Sequence, residues 1–259
     1  ASSVLHPNVC EILDLGEESG VLFIAMEWID GEGLARIMKP GPEPHPLGDR
    51  VAAKIISDAC AGLHAAHQLT HDDGRRMRLV HCDVSTQNLM VSRSGAVKVI
   101  DWGVAKALHS VRYDGLVMSM EGKAAYMSPE QASGKRASAL SDVFALGICL
   151  YEITTGRRPF SAGSREATIE QLLSGEFPKP SELRPDYPPR LEQIVLRAMA
   201  HNPVHRYPSA DRMRSALGDY LKISGPIITD TDVAAIVAER VGPLIDQRRA
   251  YIGKVLGKA

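Results

Sequence analysis

Three short segments, met in a fixed order, constrain this chain more than any other feature of it. From Asp49 to Leu69 the apolar residues Val51, Ile55, Ile56, Ala59, Leu63 and Ala66 recur at helical spacing, which predicts a long amphipathic helix. The chain then reaches the first segment, Val80-His-Cys-Asp-Val-Ser-Thr-Gln-Asn-Leu89. Two short strands follow, Leu89 to Ser92 and Val97 to Ile100, separated by the turn Arg93-Ser-Gly95. The second segment, Val99-Ile-Asp-Trp-Gly103, closes the second strand, and the third is Tyr126-Met-Ser-Pro-Glu-Gln131, with Asp142 beyond it opening an apolar helix. Asp83, Asn88 and Asp101 thus stand in loops at the ends of strands, where a rigid scaffold can present them.

The remainder reads as a scrap of antiparallel sheet followed by a mainly helical body, an α+β arrangement. Cys10 to Leu15 and Val21 to Met26 are strand-like runs joined by Gly16-Glu-Glu-Ser-Gly20. Asp30-Gly-Glu-Gly33 reads as a polar turn, a short helix starts at Leu34, and the proline-rich stretch from Pro40 to Pro46 is a loop. A charged, hairpin-like insert surrounds Asp73-Gly74. Helices are predicted over Ser141 to Thr155, Thr168 to Ser174, Arg190 to Ala200 and Ala210 to Leu221. In the tail, Val233, Ile236, Val237, Val241, Leu244 and Ile245 share one helical face, with Asp230 or Thr231 as the cap. That face suits either a partner or the helical body itself.

The spacing of the three segments resembles the protein kinase family: a catalytic loop, a metal-binding loop, the end of the activation segment, and an aspartate-led helix behind them. The likeness runs from His6-Pro-Asn8 to about Leu221 and implies a two-lobed kinase fold. Its divisions would be residues 1–29 as part of the small lobe, 30–222 as the helical lobe, and 223–259 as a helical extension. Phosphoryl transfer depends on positioning and charge neutralisation, which explains the residue types. The resemblance makes Asp83 the group that accepts the substrate hydroxyl's hydrogen. Asn88 and Asp101 would supply oxygen ligands to Mg2+, a hard cation. Met26, Glu27, Ile29, Met90 and Ile100 would line the ATP site. His81 and Trp102, with Ile12, match a hydrophobic spine, and Gly103 lets the backbone turn after Asp101. Glu130 would pair with Arg206, and Asp142 would hold the catalytic-loop backbone from beneath. The implied activity is transfer of the ATP γ-phosphate to serine or threonine of a protein substrate.

Departures from the family pattern carry their own expectations. Cys82 replaces the arginine that contacts a phosphorylated activation loop, so activity should not require that phosphorylation. Trp102 replaces phenylalanine. Ser85 stands where a lysine is usual and Lys123 where a threonine is usual, so the two groups are read either as exchanged across the cleft or, for Lys123, as solvent-facing. These combined features are similar to kinases of myxobacteria. A nucleotide- or partner-binding scaffold without turnover is the rival reading: Asp83, Asn88 and Asp101 oppose it, whereas Cys82, Ser85 and Trp102 favour it. Nothing before His6 matches the glycine-rich loop, the ATP-anchoring lysine or its glutamate partner. Without an initiator Met, the chain is expected to be a fragment and a poor kinase alone.

The other candidates read as structure. His64 and His67 are expected near a surface loop, His81 as a packing residue, and Arg75-Arg76-Met77-Arg78 as a solvated hairpin tip. Ser110, Tyr113 and Ser119 are possible phosphorylation sites in a long polar stretch. A formal net charge of -1 disfavours nucleic acid as an obligatory partner. No apolar run reaches the ~18 residues of a membrane span. The four cysteines lie far apart and read as reduced thiols of a cytoplasmic protein.

Overall fold

The structure is a computed structural model, and it describes residues 4–39, 41, 43–71, 73–102 and 124–257. A hairpin of β1 (Ile12–Glu18) and β2 (Val21–Met26) opens the chain. Its turn is tighter than the sequence suggested: only Ser19 and Gly20 lie outside the strands, both at positive φ, 52° and 80°. That pair matches the right-handed twist of the strands it joins, so pairing continues through Glu18↔Val21. Leu13, Val21 and Leu22 remain exposed on this hairpin.

A second, three-stranded antiparallel sheet has the order β3-β4-β5, with β3 at Gly31–Gly33, β4 at Leu89–Ser92 and β5 at Val97–Val99. The polar turn expected at 30–33 is therefore a strand. Gly-Glu-Gly shows no strand periodicity, and pairing with β4 decides the matter. At Gly31 a Cβ atom would sit 2.2 Å from the Val91 carbonyl oxygen, so only glycine permits that approach. Val9 bridges to Val99, where Cys10 N–H donates to Val99 O at 2.9 Å, tying the hairpin's leading segment to the second sheet.

Helices build the rest: α1 (Leu34–Met38), α2 (Asp49–His67), α3 (Pro129–Ala132), α4 (Ala139–Thr155), α5 (Arg165–Ser174), α6 (Pro180–Leu183), α7 (Pro189–Ala198), α8 (Ala210–Ile223) and α9 (Asp230–Val255). Helices α4 and α5 begin two and three residues earlier than their apolar patterns do, because serine caps fix the start. Ser138 accepts from Leu140 N–H ahead of α4, and Ser164 from Ala167 N–H ahead of α5. For α9 the cap is Thr229, closed by Asp232, rather than Asp230 or Thr231. Helix α4 is buried from Ser141 to Thr154 and forms the centre of the core, flanked by α2, α7 and α8. The apolar stripe of α9 packs onto the body: Val233, Val237, Val241 and Ile245 are all buried.

Candidate active site

The loop of residues 80–88 is held from below by one carboxylate. Asp142, in the first turn of α4 and 1% exposed, accepts from His81 N–H and Cys82 N–H, both at 2.9 Å. It also accepts from His67 Nε2 at 2.8 Å. A buried carboxylate needs such donors, and here three converge on it. His67 is thus no surface residue. It lies one helical turn beyond Leu63 on the buried stripe of α2. Cys82 has a φ of 64°, a left-handed conformation that costs a non-glycine residue about 1 kcal/mol. The charge-assisted bond from its amide to Asp142 offsets that cost. On its other side the Cys82 carbonyl accepts from Gln131 Nε2 at 3.0 Å, and Gln131 is itself locked in a capping box with Ser128.

The same loop is coupled sideways to Asp101. His81 Nδ1 accepts from Asp83 N–H at 3.3 Å, which places the ring proton on Nε2, where it donates to the Ile100 carbonyl at 2.8 Å. The imidazole stands against Trp102, with ring centroids 4.9 Å apart and planes at 59°, and Trp102 Nε1 donates to Val99 O. Asn88 Nδ2 donates to the Asp83 carbonyl at 2.8 Å, while the Asn88 carbonyl accepts from Ile100 N–H at 3.0 Å. Asp83, Asn88 and Asp101 are therefore linked through short chains of hydrogen bonds, carried by the His81 ring, the Asn88 carboxamide and the backbone. Asp101 is exposed and adopts a φ of 61°. The amide bond of Asn88 leaves its Oδ1 as the oxygen on offer. With the Asp101 carboxylate it makes a pair of hard oxygen donors, which suits Mg2+ completed by phosphate and water. Among the described residues no cluster of three or more His, Cys, Asp or Glu side chains competes for a metal.

The residues assigned to the adenine side stand on three elements. Met26 ends β2 and is 43% exposed, Glu27 and Ile29 follow it half-buried, and Met90 and Ile100 flank the catalytic loop on β4 and just after β5. Two interactions that sequence reasoning missed fix the hinge, the segment of residues 27–30 that joins β2 to β3. Lys98 Nζ meets Glu27 Oε1 at 2.5 Å, and Glu11 N–H donates to the same oxygen at 2.9 Å. Partial burial raises the Glu27 carboxyl, but the Lys98 hydrogen bond, the Glu11 amide and the Lys98 charge together outweigh it and hold the group below its ordinary value.

Further down, Glu130 and Arg206 form a two-pronged ion pair at 2.8 and 2.9 Å. A buried chain joins the catalytic loop to the segment before α3. The Thr86 hydroxyl meets Tyr126 OH at 2.8 Å, Tyr126 OH donates to Glu152, and Arg158 Nε donates to Glu152 at 3.0 Å while lying over the Tyr126 ring. Burial, then the Glu152 charge, pushes the Tyr126 phenol well up, so it stays a donor. No motif announces this chain; only Tyr126 and Thr86 lie within the segments singled out. Ser85 is buried beside it, its carbonyl accepting from Asn88 N–H. Lys123, Gly103, Ser110, Tyr113 and Ser119 lie outside the described residues.

These features define a class, and the comparisons agree with it. The protein kinase domain family matches residues 1–216, and the chain belongs to that family. Among curated relatives it is 41% identical over 222 residues to the tyrosine-protein kinase MasK of Myxococcus xanthus, covering 85% of this chain and 34% of that protein. It is 37% identical over 258 residues to the serine/threonine-protein kinase PknB of Mycolicibacterium smegmatis, covering 93% and 39%. With PrkC of Bacillus subtilis, also a serine/threonine-protein kinase, identity is 36% over 215 residues, covering 83% and 31%. The chain thus spans about a third of the length of these relatives. Among solved structures, the kinase domain of Mycobacterium tuberculosis PknI, a double mutant, superposes with a TM-score of 0.60 at 25% identity, covering 83% of this chain and 72% of that one. The two-lobed kinase fold and the likeness to a myxobacterial kinase are both as the sequence indicated.

Proposed function

We propose that the protein to which this chain belongs transfers the γ-phosphate of ATP to serine or threonine hydroxyls of a protein substrate. Asp83 orients and takes the hydroxyl proton, and Asn88 and Asp101 hold Mg2+. Bound there, the metal neutralises charge on the transferring phosphoryl group. The observation that carries the reading is the His81 bridge. One imidazole joins the Asp83 amide to the carbonyl before Asp101, so the base and the metal ligand keep a common frame. Positioning of this kind is most of what phosphoryl transfer asks of a protein.

Serine/threonine rather than tyrosine as acceptor rests on the PknB and PrkC relatives and on the absence of tyrosine-kinase markers in the catalytic loop, against the name of MasK. For Ser85 and Lys123 the proposal rests on the sequence alone: as an exchanged pair, Lys123 would supply the cation that the catalytic loop lacks, the alternative being a solvent-facing lysine. The assignment extends to a cytoplasmic location, no nucleic-acid partner, and divisions at 29/30 and 222/223. Among the described residues no helix is long and apolar enough to cross a membrane.

Trp102 adjoins Asp101 and gives a built-in probe. Read in a Trp28→Phe background, because Trp28 lies between Glu27 and Ile29, its fluorescence should change on adding an ATP analogue with Mg2+, and the Mg2+ dependence should vanish in Asp101→Asn. In the whole protein, Asp83→Asn should keep nucleotide binding while phosphate transfer falls by about 10²-fold or more. Phosphoamino-acid analysis of the product decides the acceptor. Nucleotide binding without any transfer in the wild type would hand the reading to the scaffold alternative.

A further inference from the structure

Helix α9 lies beyond the residues that the family pattern covers, yet polar contacts fasten it along its length. At its start, Asp230 Oδ1 meets Lys54 of α2 at 2.7 Å. Its backbone also presses onto the β4–β5 turn: a Cβ at Gly95 would fall 1.9 Å from the Asp230 carbonyl oxygen, and Gly95 sits at a φ of 88°. Midway, Arg240 donates to the carbonyls of His45 and Pro46 at 2.6 and 3.0 Å. Towards its end, Asp246 meets Arg93 at 2.6 Å. Arg248 reaches β3 with both arms, one nitrogen 3.1 Å from the Gly31 carbonyl and the other 2.6 Å from the Glu32 carboxylate.

Those last contacts fall on a particular place. Strand β3 begins two residues after Ile29, and its partner β4 carries Met90 opposite Gly33. Arg93 N–H donates to the Asp30 carbonyl at 2.7 Å, so Arg93 is bound both to α9 and to the end of the hinge. The carbonyl of Gly31 accepts from Arg248, and a forked guanidinium fixes both a carbonyl and a carboxylate where a point charge fixes one. A hinge whose following strand is three residues long has little cooperative pairing of its own to hold it.

We infer that α9 is a brace for the nucleotide hinge and that Arg248 is its positioning residue, setting the backbone of residues 30–33 and, through it, affinity for the adenine ring. The inference rests on the nucleotide-binding reading above, but its first test does not. Hydrogen exchange of the amides of residues 30–33 is measured without nucleotide in wild type, Arg248→Ala, Arg248→Lys and Arg240→Ala. Exchange there should accelerate by roughly fivefold or more in Arg248→Ala and less in Arg248→Lys. Arg240→Ala, which loosens the same helix elsewhere, should lower the melting temperature without that local acceleration. The second measurement is affinity for an ATP analogue with Mg2+, expected to weaken roughly fivefold in Arg248→Ala and to hold in Arg240→Ala. Unchanged exchange at 30–33 in Arg248→Ala, or equal acceleration in Arg240→Ala, overturns the brace. Failure of the wild type to bind nucleotide overturns the function proposed above, and the exchange data still judge the brace.

Discussion

Arg206 meets Glu130 through both terminal nitrogens while its remaining donors reach the carbonyls of Ala200, Leu140 and His201. Its side chain is fully buried and lies over the Phe144 ring. Removing the carboxylate would strand a desolvated charge. Glu130→Gln should therefore cost about 3 kcal/mol or more, read from urea unfolding at neutral pH. The pH dependence has a definite sign. Burial raises the Glu130 carboxyl, but hydrogen bonds from Arg206 and Ser141 outweigh it and hold it at about 2. The folded value is below the ordinary ~4.3, so the stabilisation is fully present above that pH and is lost as pH falls towards 2. The gap between wild type and Glu130→Gln should be constant above about pH 5 and close in acid. A gap that widens in acid would contradict this assignment.

Asp142→Asn tests the support of the catalytic loop. The carboxamide keeps one acceptor where three donors converge. His67 can adapt by moving its proton to Nδ1, which has no hydrogen-bond partner now. The amides of His81 and Cys82 cannot adapt, so one of them is orphaned. A loss of about 2–3 kcal/mol in unfolding free energy is expected. In the whole protein, phosphate transfer should fall by at least about tenfold, since the left-handed backbone at Cys82 is no longer pinned.

Tyr126→Phe removes the hydroxyl between Thr86 and Glu152 but keeps the ring under Arg158. Stability should drop by about 1–2 kcal/mol. A double-mutant cycle on Glu152→Gln and Arg158→Met should give a coupling of roughly 1 kcal/mol or more. Additive effects would mean that the pair is held apart by water in solution.

Gly95→Ala probes the seat of α9 by chemistry unrelated to charge. The methyl group meets the Asp230 backbone, and the positive φ adds its own strain. The substitution should destabilise by more than the ~1 kcal/mol that conformation alone accounts for. Limited proteolysis should then cut first near residues 224–229, just before the loosened helix.

Legibility in the sequence followed the range of the interactions. Asp83, Asn88, Asp101 and Asp142 stood out because each belongs to a short run with a fixed spacing. The stripe Val233, Val237, Val241 and Ile245 was readable from helical periodicity, although its docking partner was not. What stayed hidden depends on residues distant in the chain. Strand β3 exists because β4 pairs with it, His67 matters because Asp142 lies beneath it, and Lys98 reaches Glu27 across 71 positions. Glu152 and Arg158 carry no local signature either. Their roles arise only when Thr86 and Tyr126 are packed beside them.

The contact between Arg248 and Gly31 joins positions 217 residues apart. On a ribosome adding ~5–20 residues per second, roughly ten to forty seconds separate the two syntheses. Throughout that interval the Gly31 carbonyl and the groove for Val233 to Ile245 face solvent or whatever else is at hand. Sheet and core are free to form once α8 has been made, but the hinge takes its final shape only when α9 arrives. Birth order thus makes α9 the helix that completes a site begun long before it.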